Sequence, residues 1–349
     1  MKKIFFWSFM GAAGLAFLAM SGTRALADDF YAGKTIRFIV GFAAGGGYDT
    51  YTRTIARYLG KHIPGNPEAV VENMDGAGSL IAANYLYNRA EPDGLTIGVW
   101  NSGLVLQQAL DARGVQFEAN KFGWIGAPVA GLPTCAVMGF TGLKTLDDVI
   151  KSKKPIKMGA TRAGSTTDDL PRILNLTLGT NFEVIAGYRG TARIRLAMQK
   201  REVDGACWGW ESMRVTGRSM LDAKGEDKLI PYVIHGQVED PEVKALPQIT
   251  KVIKGDKNLS IFTTWVRQYD FQRPLSVSPG TPNERLAILR RAFDSTFKDS
   301  EFLADAKASK LILEHVTGKE IEGYVGDILG TPPKVKESLE FLVKKAKVN

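Results

Sequence analysis

Along most of the chain, short apolar runs of strand length alternate with longer segments whose apolar residues recur at helical spacing. The strand-like runs include TIRFIVGF, LTIGVWN, IKMGAT, FEVIAGY, GACWGW, IPYVIHG and PLSVSP, rich in β-branched and aromatic residues and bounded by turn formers. After Asp49, the residues Tyr51, Ile55, Tyr58 and Leu59 fall at i, i+4, i+7 and i+8, which predicts a helix with one buried stripe. Residues 281–284 (TPNE) and 317–320 (TGKE) each read as a capping box, the first with Pro282 at the first helical position. Leu286, Leu289, Phe293 and Phe297 then line one helix face, and Ile321, Val325 and Ile328 another. After a break at residues 331–333, Val335, Leu339, Leu342 and Val343 form a last one. Such alternation predicts α/β domains with largely parallel sheets. No repeat of fixed period and no low-complexity linker marks a domain boundary.

The N-terminus has a different pattern. Lys2 and Lys3 precede an apolar run over residues 4–20, and Ala25, Leu26 and Ala27 fit the small-x-small cleavage rule before Asp28, so residues 1–27 read as a signal peptide removed after Ala27. A membrane anchor is the alternative, weakened by Gly11, Gly14, Ser21 and Gly22. Cleavage takes Lys2, Lys3 and Arg24 with it and lowers the formal net charge from +8 to +5. The remaining length suits about two domains, expected to be soluble and exported. No Lys/Arg block is interleaved with aromatics, which argues against nucleic acid as a partner. Two cysteines make no framework. The expectation for Cys135 and Cys207 is therefore two separate buried thiols on strands, with a disulfide as the alternative that an oxidising compartment permits. His62, His235 and His315 are scattered, without HExxH, CxxC or an acidic loop, so neither a metal site nor a cofactor is expected.

The stretch FIVGFAAGGGYDTYTRTIARYLG, residues 38–60, carries the candidate chemistry. A dinucleotide fingerprint would need a third glycine where Thr50 stands, and a P-loop would need Lys after Gly46 rather than Gly47. No G-x-S-x-G elbow occurs. What remains is a glycine-rich turn that presents the unpaired N–H groups of a helix start, favourable for an anion, or a tight turn that binds nothing. The turn has counterparts. MDGAGSLIAANYL, WNSGL, GATRAGSTTDDL and GYRGTARIRLAM all leave strands or turns with small, hydroxyl-rich helix starts. Several such ends converging on one crevice is where ligands of α/β sheets sit.

KTIRFIVGFAAGGGYD, VVENMDGAGSLIAANYL, PDGLTIGVWNSG, GYRGTARIRLAMQKREVDGA and SPGTPNERLAILRRAF, taken in order over nearly the whole chain, resemble the periplasmic solute-binding proteins of tripartite tricarboxylate transporters, the Bug receptors. The resemblance implies an α/β, two-lobed periplasmic-binding-protein fold (a Venus flytrap, type II-like). Each lobe would be a mixed sheet flanked by helices, with two interlobe crossovers. One lobe would take residues 28–130 and 233–349, the other residues 131–232. It further implies a non-enzymatic, monomeric periplasmic receptor that binds a small organic carboxylate and passes it to the membrane permease subunits of such a transporter.

Carried over position by position, the resemblance places Phe42, Ala44, Gly46, Tyr48 and Asp49 on the first wall, Asp49 mainly to cap or orient its helix. Gly78, Ser79 and Ser102 complete that wall, and Arg162, Ser165, Thr166, Tyr188 and Arg189 form the opposing one. The family pattern has Pro where Gly41 stands and a small uncharged residue near Arg162. Arg162 either turns inward to grip a carboxylate or outward as a solvated charge. Trp208 and Trp210, at alternate strand positions, are expected on one side of a strand and in the core. Residues 237–271 are least like the family. Two alternatives of other classes stand beside this reading. One is an exported hydrolase or transferase using the glycine loop as an oxyanion hole, and the other is a flytrap sensor signalling to a membrane kinase.

Overall fold

A computed structural model describes residues 30–236 and 239–343, and the expected signal peptide lies outside the described residues. Among the described residues no helix is long and apolar enough to cross a membrane. Among the described residues eleven strands form two sheets. The first contains β1 (Thr35–Val40), β2 (Glu68–Asn73), β3 (Thr96–Val99), β4 (Gly123–Ala127), β10 (Leu275–Val277) and β11 (Val316–Thr317) in the order β11-β4-β10-β3-β1-β2. The second contains β5 (Pro133–Met138), β6 (Ile156–Ala160), β7 (Phe182–Ala186), β8 (Gly205–Gly209) and β9 (Leu229–Ile234) in the order β7-β6-β8-β5-β9. Both are mixed rather than largely parallel: β1 pairs parallel with β2 and β3, whereas β10 runs antiparallel between β3 and β4. In the second sheet β6 pairs parallel with β7 and β8, and β5 antiparallel with β8 and β9. The expected two-sheet, binding-protein architecture is therefore present.

Helices follow the strands for the reason the periodicity gave. Helix α1 (Gly47–Leu59) buries Tyr51, Ile55 and Leu59 against a core that includes Phe38, Ile97 and Phe293. Burying each such side chain stabilises the fold by about 1.5–3 kcal/mol. Helices α2 (Leu80–Asn88) and α3 (Gly103–Ala109) bury Leu80, Leu86, Leu104 and Val105 in a separate core with Trp100 and Trp124, and α4 (Leu146–Lys151), α5 (Thr166–Leu178), α6 (Thr191–Gln199) and α7 (Trp210–Thr216) surround the second sheet. The capping box at residues 317–320 forms as expected. That at 281–284 does not: the Thr281 hydroxyl donates to the Ser278 carbonyl at 2.8 Å, and the helix begins at Asn283.

The chain leaves the first sheet after β4 and enters the second at β5. The return was expected at residue 233, inside β9. Ile234 instead pairs onward with Gln248, and Val243 packs in the core of the second sheet. The two connecting segments meet as an antiparallel bridge between Val129 and Gln272, with the Gly131 N–H donating to the Tyr269 carbonyl at 2.7 Å. Backbone pairing thus ties the two connections to each other.

Cys135 and Cys207 form a disulfide, which corrects the expectation of separate thiols. The reason is register: β5 and β8 are antiparallel neighbours, and these two residues stand directly opposite each other. The bond closes a loop of 72 residues in sequence. Reduction, or the pair of Cys→Ser substitutions, is expected to lower unfolding free energy by about 2–5 kcal/mol. Urea unfolding with and without reductant measures it, and overlapping curves would refute a stabilising role.

Candidate ligand-binding site

Strands β1 and β3 of the first sheet and β6 and β8 of the second direct their carboxyl ends to one cavity, the position at which α/β sheets hold ligands. Its empty space, open solvent at the mouth included, is about 550 Å³. From the first sheet come Phe42, Gly46, Gly47 and Tyr48 after β1, and Asn101 after β3. From the second come Thr161, Ser165, Thr166 and Thr167 after β6, and Thr191 at the start of α6. Trp208, Gly209, Glu211 and Ser212 follow around the end of β8. Gln272 and Arg273, in the returning connection, close the floor.

Two helix starts face this space. At α1, Asp49 sits in the first turn and accepts from the Gly45 N–H at 3.0 Å, from Arg53 Nε at 2.9 Å and from Asn73 Nδ2 at 2.9 Å. It fixes the loop and takes no part in the cavity lining. The Phe42 and Tyr48 rings pack at a tilt, with centroids 4.6 Å apart. At α5, Thr161 Oγ1 donates to Ser165 Oγ at 2.7 Å, Ser165 Oγ donates to the Arg162 carbonyl at 2.6 Å, and Thr167 Oγ1 accepts from the Thr161 N–H at 2.9 Å. Tyr269 hydrogen-bonds Thr166. The hydroxyls therefore hold one another and leave the helix-start N–H groups presented to the cavity side.

Arg273 and Glu211 form a buried ion pair, Nη2 to Oε1 at 2.8 Å, with side chains 3% and 2% exposed. The other carboxylate oxygen of Glu211 accepts from the Leu132 N–H at 3.0 Å. Burial alone would lower the Arg273 pKa, but Glu211 and the flanking tyrosines hold it above its ordinary value, so the guanidinium stays charged. Its centre lies 4.5 Å from the Tyr51 ring and 5.4 Å from the Tyr48 ring. A Cβ at Gly209 would overlap the Glu211 carboxylate, so this carboxylate can fold back only beside glycine.

The remaining expected site residues lie elsewhere. Ala44 is exposed. Ser79 Oγ accepts from the buried Asn101 N–H at 2.8 Å. Ser102 Oγ donates to the Gln268 carbonyl at 2.8 Å and accepts from Gln272 Nε2 at 2.7 Å, so it supports the returning connection from behind. Arg162 turns neither inward nor to free solvent: it lies over Gly78, and its Nη1 donates across to the Ala77 carbonyl at 3.1 Å. Arg189 is an exposed partner of Asp75 at 3.8 Å, and Tyr188 shares with it a separate groove beside Arg193 and Lys200. Trp208 and Trp210 are both buried in one core, as expected; Trp208 also lines the cavity, and Trp210 starts α7 just beyond the end of β8 and donates to Asp240 at 2.9 Å. His62 contacts Asp299, His315 contacts Asp294 and His235 packs on Phe262, so none lines the cavity. Among the described residues no cluster of His, Cys, Asp or Glu could hold a metal ion.

Thr167, Thr191 and Gly47 were within reach of sequence reasoning, one residue further into helix starts already identified. Glu211, Ser212, Gln272 and Arg273 belong to no local pattern, and the last two follow directly on the segment least like the family.

Two sheets opening on one cleft, joined by paired connections, define the class of periplasmic-binding-protein folds. Within it the fold resembles that of solved Bug-type binding proteins. It matches the periplasmic binding protein BugD with a TM-score of 0.71 at 21% identity, covering 90% of this chain and 99% of that one. MatC (Rpa3494) from Rhodopseudomonas palustris, solved with bound malate, matches with a TM-score of 0.67 at 21% identity over 88% and 99% of the two chains. In sequence, the UPF0065 protein in the TAR-I ttuE-ttuC' intergenic region of Agrobacterium vitis is 29% identical over 190 residues, 52% of this chain and 53% of that protein. The chain thus spans about half the length of this curated relative. No family model matches the chain.

A Cβ on Gly47 would stand 2.6 Å from Cβ of Ser212 and collide with its hydroxyl, across the cleft. Gly47→Ala is therefore expected to hold the two sides apart, seen as a larger radius of gyration in solution scattering. An unchanged radius would show that Ser212 yields instead. At α5, burial and then the Asp168 charge raise the Asp169 pKa from 3.8 to about 8, against donation from Gly164 N–H and Trp265 Nε1. The folded state keeps a proton that the unfolded chain releases near pH 4. This contribution to stability is full below about pH 4 and lost as pH rises through about 8. Asp169→Asn should flatten the fall, read from urea midpoints at several pH values; parallel profiles would refute it.

Proposed function

We propose that this protein is an exported, periplasmic receptor of the Bug family that captures a small organic carboxylate between its two sheets and delivers it to the permease subunits of a tripartite tricarboxylate transporter. It acts as a binding protein, not a catalyst, and works as a monomer. One lobe is built on β1 to β4, β10 and β11, and the other on β5 to β9, with ligand exchange by opening at the two connections.

The observation that carries this reading is the cavity itself, flanked by the N-termini of α1 and α5 on opposite sides. A helix start offers unpaired N–H groups and the positive end of a dipole, so two of them suit an acid held between. Phe42, Gly46, Tyr48, Ser165 and Thr166 contribute walls and backbone. MatC, of like fold, holds malate, which supports a small carboxylate as the occupant. Charged hydrogen bonds contribute about 1.5–3 kcal/mol each, so a few well-placed donors suffice for useful affinity. The ligand must bind the closed form better than the open one, or it would not shift their populations.

Thermal unfolding of residues 28–349 against mono-, di-, tri- and aromatic carboxylates tests the proposal. An acid at about 100 times its dissociation constant should add about 2.7 kcal/mol of stability, and Gly47→Ala should reduce that gain. No shift with any of these acids would overturn the carboxylate reading.

A further inference from the structure

We propose that Trp208, Ser212 and Arg273 form the anchoring end of the cavity and that their unfilled donors take a carboxylate of the solute. The inference rests on the receptor reading above and names the residues that set its selectivity.

Trp208 Nε1, Ser212 Oγ, and Nε and Nη1 of Arg273 are shielded from solvent and have no hydrogen-bond partner among the described residues. All three residues line the cavity and are nearly buried, at 3%, 4% and 3% exposure. Buried polar atoms in folded proteins are nearly always paired. Other unpaired atoms, such as Tyr31 Oη and Tyr232 Oη, belong to residues outside this lining, whereas these belong to residues that line one cavity. Gly47 relates two of the three residues to the start of α1. A Cβ there would be 2.6 Å from Ser212 Cβ and 3.2 Å from Arg273 Nη2, so the first turn of α1 abuts both side chains.

The donor set fixes the chemistry. Indole and guanidinium N–H groups only donate, so the group that meets them must accept. Glu211 already occupies Nη2, and Nε and Nη1 remain for a newcomer. An ammonium or any other donor-only group is unsuited, while a carboxylate brings two oxygens with several lone pairs. The positive end of the α1 dipole adds to the same spot. At the α5 pole the hydroxyls of Thr161, Ser165 and Thr167 are bonded to one another, so the unmet demand for an acceptor is concentrated at the α1 pole.

Trp208→Phe removes one donor and keeps the ring, and Ser212→Ala removes the hydroxyl. Each variant of the chain from residue 28 onward is titrated calorimetrically with malate, adipate and benzoate beside the parent, and the melting temperature of each free protein is recorded. The expected result is at least about tenfold weaker binding in each variant, with melting of the free protein unchanged or raised, since a buried unpaired group has gone. A merely structural indole or hydroxyl would give lower melting instead. If Trp208→Phe destabilises the protein, Ser212→Ala decides by the same two readings. Parent-like affinity in the variants overturns the anchoring end alone. A parent that binds none of the three acids overturns this inference and the receptor reading together.

Discussion

The buried pair of Arg273 and Glu211 is the constraint around which the cleft is arranged. Arg273 belongs to the returning connection between the sheets, and Glu211 takes the N–H of Leu132 in the outgoing one. Two charges this deep are costly to desolvate, and removing one partner from such a pair costs about 3–5 kcal/mol. The pair is supported where it stands: Tyr48 and Tyr51 flank the guanidinium, and Gly209 leaves room for the carboxylate. Because the connections also pair through Val129 and Gln272, the floor of the cavity and the site of any opening are the same few residues. An occupant that reaches Arg273 therefore acts directly on the junction between the lobes.

Contacts across the rim are of a weaker kind. The Ala43 N–H donates to the Arg189 carbonyl at 3.2 Å, Arg195 Nη2 to the Gly45 carbonyl at 3.1 Å, Arg162 Nη1 to the Ala77 carbonyl at 3.1 Å, and Asn101 Nδ2 to the Gly164 carbonyl at 2.6 Å. Most of the acceptors belong to glycine-rich loops, and the two bonds with neutral donors contribute a net of about 0.5–1.5 kcal/mol each, against about 1.5–3 kcal/mol for a charged donor. Such bonds make closure specific in register without making it deep. That suits a receptor whose closed state is to be completed by its ligand.

Much of this was legible in the sequence because it is local. Strand runs, the stripe on α1, the cap at Thr317 and the glycine-rich helix starts are all set by neighbours within a few residues. What stayed hidden is set by pairing across the chain. The disulfide depends on β5 lying beside β8, a register that two isolated cysteines do not announce. Trp208 and Trp210 look equivalent until the strand ends between them. Arg162 offered two readings, and the fold uses it in a third, as a bridge to a backbone carbonyl. Arg273 carries no motif and acquires its role only where the return from the second sheet meets Glu211, 62 residues earlier.

The same dependence on pairing resolves an apparent conflict at the second pole. A helix start meant for an anion should avoid acids, yet α5 opens with Asp168 and Asp169 in its first turn. Asp168 is bound by Arg172, whose Nε donates to it at 2.8 Å, so its charge is offset on the helix itself. Asp169 is buried, and its pKa of about 8 keeps it largely protonated at neutral pH. Neither acid then cancels the dipole of α5, and Asp169 still holds the Gly164 loop and Trp265 in place. The two poles thus reach the same end by different means. At α1, Glu211 balances a buried cation whose donors stay open, and at α5 the acids are silenced by pairing and by burial. In both, the charges that surround the helix start are largely offset.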